Sequence, residues 1–194
     1  MAGSISLSRR AALLLPWAAA ACSGEEPARA MPPLRYDYLT PLRLNVATVD
    51  VGEAPPPSPI EAESPAPVGA ALRQMALDRL AAGGTSGRAA FIIDQAQISR
   101  SSGYLNGLIE VHLDILTADG ARAGFAGARV SRSATVGSDL RGALYDLTRQ
   151  MMDDMNVEFE FELRRSLHDW LQDATPAPPP EPVQQQELPA PAAP

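Results

Sequence analysis

The chain has 194 residues, 45% of them apolar and 20% charged, with 19 prolines against 14 glycines. That balance argues against a wholly disordered or fibrous chain and predicts one ordinary domain flanked by disordered arms. All 16 basic residues are Arg and there are 23 acids, so the formal charge is −7, which argues against a basic face for nucleic acid or for an anionic membrane surface.

In chain order, Arg9 and Arg10 precede the apolar stretch Ala11 to Ala21, with no acid in the first 22 residues. This is the layout of a signal peptide over 1–21, too short for a permanent membrane span. Cys22 is the one cysteine of the chain and follows Ala19-Ala20-Ala21 directly. The stretch resembles the lipobox of bacterial lipoproteins, although Ala19 stands where that family usually has Leu. The resemblance implies cleavage before Cys22 and acylation of its thiol, palmitate included. It also gives a purpose to a thiol that would otherwise be a liability in an oxidising compartment. The competing reading is ordinary cleavage at Ala28-Arg29-Ala30, releasing a soluble secreted protein from Met31. Ser8-Arg9-Arg10-Ala11-Ala12-Leu13 is also similar to a twin-arginine export signal, and Sec and twin-arginine routes stay open. Ser23 after the cysteine implies outer rather than inner membrane, by the sorting rule of enteric lipoproteins. Without Arg9 and Arg10 the mature charge is 14 − 23 = −9. Acyl chains at about 0.8 kcal/mol per buried CH₂ then supply the membrane affinity.

Residues 22–41 are expected to form a lipidated tether. Leu42 to Val51 alternates at period 2 with a change of parity near Ala47 and Thr48, which predicts one strand with a bulge. Residues 54–67 hold six prolines and read as an extended linker. Val68, Ala71, Leu72, Met75, Ala76 and Leu80 predict an amphipathic helix ending at Gly83-Gly84, with Arg73, Asp78 and Arg79 on its wetter side. Phe91 to Ile98 reads as a strand. Ile109, Val111, Leu113 and Ile115 mark a second, which Asp119-Gly120 turns into a partner over 123–134 with Ala126, Ala128 and Val130 inward. Ser138 is the expected N-cap of a long helix whose stripe runs from Leu140 through Met151 and Met155 to Trp170. Within it Val157 to Leu163 also alternates perfectly at period 2, so helix and strand both stay open there, with helix preferred. Residues 174–194 are Pro, Ala and Gln, a disordered tail.

The element order predicts a single α+β domain over 42–173, a two-layer sandwich of a four-stranded antiparallel or mixed sheet with both helices on one face. The leader at Cys22, the strand 42–51, the hairpin around Asp119-Gly120 and the terminal helix together resemble small bacterial envelope lipoproteins of the YajG type and the auxiliary lipoproteins of lipid-transporting ABC systems.

Catalytic chemistry finds little support in the residues. His112 and His168 fall in different elements without ligand spacing, and they read as surface residues of a strand and a helix. Gly83-Gly84-Thr85-Ser86-Gly87-Arg88 lacks the Lys of a phosphate cradle and reads as a turn. Asp153, Asp154, Glu158 and Glu162 sit at helical spacing, a solvated face rather than a calcium loop. No cofactor and no metal site is expected. Arg129 and Arg132, with Trp170, are the candidate partner surface, against the simpler reading of the arginines as charges guarding a sheet edge. The expected function is a non-catalytic, lipid-anchored periplasmic adaptor that binds another envelope component, with an unknown protein partner and no nucleic acid. One alternative is a carrier or auxiliary subunit of lipid transport, which needs an apolar cavity of several hundred Å³ beside Ala126 and Ala128. Another is a soluble periplasmic protein without an anchor.

Overall fold

The computed structural model describes residues 29–172, so the leader, Cys22 and the tail after Gln172 lie outside the described residues. Every element below belongs to one compact unit that begins at Met31. The elements are β1 (Leu42–Leu44), β2 (Thr48–Val51), α1 (Val68–Arg79), β3 (Leu80–Ala82), β4 (Arg88–Ser101), β5 (Tyr104–Leu116), β6 (Arg122–Thr135), α2 (Leu140–Ser166) and β7 (Leu171–Gln172). The fold is α+β.

The larger sheet has the order β2-β4-β5-β6 and is mixed: β2 runs parallel to β4, and the other pairs are antiparallel. β5 is central because both of its neighbours pair along nearly its whole length, and Ile109, Val111, Leu113 and Ile115 are fully buried. Both helices cover that one face. Phe159 of α2 stands edge-on to Phe91 of β4 at 5.5 Å, and Gly69 of α1 packs against Ala96. Met151 and Leu147 of α2 fill the space over Gly107 that a β-carbon would occupy. Ala126, Ala128 and Val130 are buried on β6, as their parity predicts.

The ambiguous segment 157–163 is helix. Phe159 and Leu163 are buried, whereas Val157 and Phe161 are 72% and 56% exposed. A strand would have put all four on one face; a four-residue helical spacing separates them. The cap of α2 is Asp139 rather than Ser138, its carboxylate accepting from Gly142 N–H at 2.8 Å.

Three further expectations are corrected. First, 42–51 is not one bulged strand. β1 and β2 lie in different sheets, and Asn45-Val46-Ala47 carries the chain between them with Val46 fully buried. The glycine run clamps this crossing: Gly83 and Gly84 N–H donate to Leu44 and Val46 carbonyls, and Ala47 N–H donates to Gly87 O. A β-carbon on Gly84 would come within 2.5 Å of the Asn45 carbonyl carbon, so the close approach requires glycine. Second, α1 stops at Arg79, and Leu80 to Ala82 is strand, parallel to β1; with β7 these form a second sheet, β3-β1-β7. Third, Arg79 is buried rather than on the wet side. Its guanidinium donates to Glu160 Oε2 at 2.6 Å, to the Asn156 side chain and backbone, and to Thr40 O. Burial opposes ionisation of Glu160, but hydrogen bonds from Arg79 and Arg164 outweigh it and hold its carboxyl below the usual range.

The proline-rich stretch is a pinned strap. Ser58 Oγ donates to Ile98 O, Glu61 is buried in a short turn over 61–63, and Ala54 touches Gly69. The later part of the expected tether also packs on the domain. Tyr36 is buried, its N–H donates to Asp78, and Tyr145 Oη donates to Pro32 O. Burial pushes the Tyr36 phenol well above its usual range.

Candidate functional site

The outer face of the large sheet, opposite the helices, carries the densest set of polar side chains beside an exposed aromatic. A β-bulge between Ile93 and Gln95 leaves Asp94 as an extra residue on β4, which turns its carboxylate toward β5. There Asp94 Oδ2 lies 2.6 Å from His112 Nδ1. The other imidazole nitrogen, Nε2, faces Asp114 Oδ2 at 3.9 Å, and Asp114 in turn meets Arg122 at 2.7 Å.

Phe125 on β6 covers this row. Its ring is 5.5 Å from the imidazole, and the Arg122 guanidinium sits 4.4 Å from the centre of the same ring. Gly127, opposite His112 in the β5–β6 register, makes the lean possible: a β-carbon there would meet Phe125 Cζ at 3.2 Å. The result is a shallow cavity of about 240 Å³ lined by Asp94, Glu110, His112, Phe125, Gly127 and Arg129. His112 is thus a strand residue on the solvent side, as its alternation predicts, but held between two carboxylates and an aromatic ring.

Chemically, the imidazole is oriented on one nitrogen by Asp94 and has a second carboxylate, Asp114, near the other. Among the described residues no group of three or more His, Cys, Asp or Glu is placed to hold a metal ion. The face suits recognition: a half-exposed aromatic, an oriented imidazole, and both signs of charge at the rim.

The structure does not bring Arg129, Arg132 and Trp170 together. Arg129 is on the outer face beside Glu110 at 3.7 Å. Arg132 has the opposite parity and reaches over the edge to Asp154 and Gln150 on α2; the bond to Asp154 pushes its basicity up further. Trp170 belongs to the other end, where its carbonyl accepts Asn45 N–H at 2.7 Å. Leu167, just before it, packs on Gly124, eight residues along β6 from Arg132, which at about 3.3 Å per residue is roughly 26 Å. Cys22 lies outside the described residues. His168 is exposed beside Asp169, and of the helix acids Asp153, Asp154, Glu158 and Glu162 three form ion pairs, Asp153 with Arg149, Asp154 with Arg132 and Glu162 with Arg165. Sequence reading missed Asp94 and Phe125, since neither the bulge nor the glycine gap opposite His112 is visible in a hydrophobic period.

No protein-family model matches the chain, and no curated protein matches it. Among solved structures, it is similar to a Xanthomonas campestris protein of the DUF330 family, at 12% identity over 71% of this chain and 94% of that one, with a TM-score of 0.38. It is also similar to a protein from Caulobacter crescentus CB15, provisionally described as a lipoprotein, at 12% identity over 58% and 90% of the two chains, with a TM-score of 0.28.

Proposed function

We propose that this protein is a lipid-anchored adaptor of the bacterial envelope, held at the outer membrane through Cys22, facing the periplasm and working by binding another envelope protein rather than by catalysis. The observation that carries this reading is the leader: an arginine pair, an apolar stretch ending in three alanines, and the single cysteine directly after them. No helix among the described residues is long and apolar enough to cross a membrane. The adaptor reading is favoured over the carrier by the packing between sheet and helices. Ala126 and Ala128 are closed over, and Met151, Met152 and Met155 of α2 are fully buried, so the place where an acyl chain would lie is occupied by side chains.

The test is fractionation with mass analysis. The mature protein carries acyl mass on Cys22, and Cys22→Ser moves it to the soluble fraction; unchanged membrane retention of that variant sinks the anchor. The second reading is a soluble periplasmic protein, cleaved after Ala28-Arg29-Ala30. A purified N-terminus at Met31 without acyl mass selects it.

A further inference from the structure

β6 is the last strand of the larger sheet, and its 14 residues pair on one side only, with β5. The Val136 N–H donates to Gly103 O at 2.9 Å and so fixes the phase of the ladder. In an antiparallel pair alternate residues exchange both bonds with the neighbour, and those between direct N–H and C=O away from it. The even-numbered residues of β6 therefore bond β5, and Gly127, Arg129, Ser131 and Ser133 turn their backbone groups to the open edge. Among the described residues no backbone group outside β5 bonds to β6.

A groove of about 450 Å³ runs beside that edge, with Arg129 to Ser131 on one wall and Asp154, Val157 and Glu158 of α2 on the other. Val157 and Phe161, one helical turn apart, are the two most exposed apolar side chains of α2. An edge with unspent backbone donors next to an apolar helix ridge is the geometry of strand addition.

We propose that this groove takes an extended segment of a partner protein as a fifth strand along β6, with acidic and apolar side chains alternating. Charge selects the acids on the outer face alone: Arg129 stays 63% exposed there with only a 3.7 Å contact to Glu110, whereas the two acids lining the groove, Asp154 and Glu158, stand on the helix wall, where Asp154 is paired with Arg132 and the segment presents its apolar side chains. Side chains on the outer face of an added strand meet Arg129, and those on the inner face meet Val157 and Phe161. A second copy of β6 in the same place would bring three more arginines and no acid to the edge. That the partner is an envelope protein rests on the adaptor reading; the preference for such a segment rests on the groove alone.

The probe is the capped heptapeptide Val-Glu-Val-Glu-Val-Glu-Val, titrated onto the full chain in detergent with amide hydrogen exchange as readout. Expected are saturable binding and slowed exchange at the Gly127, Arg129, Ser131 and Ser133 amides. N-methylation of alternate peptide residues, and separately Ser131→Pro, weaken binding by about tenfold or more. Ser131→Pro removes an outward N–H and no bond to β5, and Ser131→Ala keeps the affinity. Should the proline variant not fold, the N-methylated peptide decides alone. The proposal is overturned if the peptide does not saturate, if N-methylation is harmless, if a control peptide with each Glu replaced by Arg binds as well, or if the edge amides are already protected by self-association. The adaptor reading fails separately: photocrosslinkers placed at Asp94, Ser131 and Trp170 then capture nothing in membranes. Capture at Asp94 alone leaves the adaptor standing and removes the groove.

Discussion

Replacing Glu160 by Gln is the sharpest test of how the two helices are held. Arg79 is 2% exposed and spends its guanidinium on Glu160 and Asn156 of α2 and on Thr40 before β1, two separate parts of the chain. Breaking a buried ion pair by removing one partner costs about 3–5 kcal/mol, because the remaining charge stays buried. Here Glu160 keeps 32% of its side-chain surface in water, and Arg79 retains neutral acceptors, so about 2 kcal/mol is expected. With a urea slope of roughly 2 kcal/mol per M, the midpoint falls by about 1 M at pH 7. The pH dependence follows from the depressed carboxyl: its stabilisation is complete above the unfolded value, about 4.3 for Glu, and is lost as pH falls through the lower folded value. Glu160→Gln therefore unfolds earlier than the parent at pH 7 and converges on it in acid. A midpoint within experimental error of the parent at pH 7, or a gap that persists unchanged at pH 2, refutes the reasoning.

Asp139→Ala removes the α2 cap bond to Gly142 and lowers stability by about 1 kcal/mol, measured by urea unfolding, whereas Ser138→Ala is neutral. Gly107→Val forces Met151 out of its seat; overpacking predicts a loss of about 1–3 kcal/mol with retained helicity by circular dichroism. His112, when neutral, carries its proton on Nδ1, donating to Asp94; long-range proton–nitrogen correlation detects that tautomer, and Asp94→Ala shifts the balance toward the Nε2 form.

Much of the fold was legible because it rests on long, regular periods. The alternation 109–115 and the small residues Ala126, Ala128 and Val130 mark a hairpin whose buried face is the one observed. The helix stripe over 140–163 fixes which side of α2 faces the sheet, and it resolves the segment 157–163, where both periods fit and tertiary burial of Phe159 and Leu163 decides. The second sheet was not legible. Its strands are two or three residues long, too short to display a pattern, and they form by pairing between segments about 40 and about 130 residues apart. The end of α1 is set by where Arg79 finds its partners rather than by the glycines after it.

Proline excess misleads and informs at once. Composition keeps an α-helix out of 54–67, where only a single 3-10 turn forms over 61–63, yet the Ser58 bond to Ile98 and the contact of Ala54 with Gly69 make it a strap over the domain. A proline-rich segment loses less conformational entropy when fixed than a flexible one does, so a few anchoring contacts suffice to hold it. The site obeys the same logic from the other side. His112 and the arginines of β6 are visible in the sequence as charges on a wet face, but their meaning depends on Asp94 being displaced by a bulge and on Gly127 leaving room for Phe125. Arginines read from sequence as guards of a sheet edge turn out to be drawn to Glu110, Asp114 and Asp154. Arg122 and Arg132 are spent on Asp114 and Asp154, while Arg129, with only a 3.7 Å contact to Glu110, keeps its charge open to an acidic strand arriving at the edge.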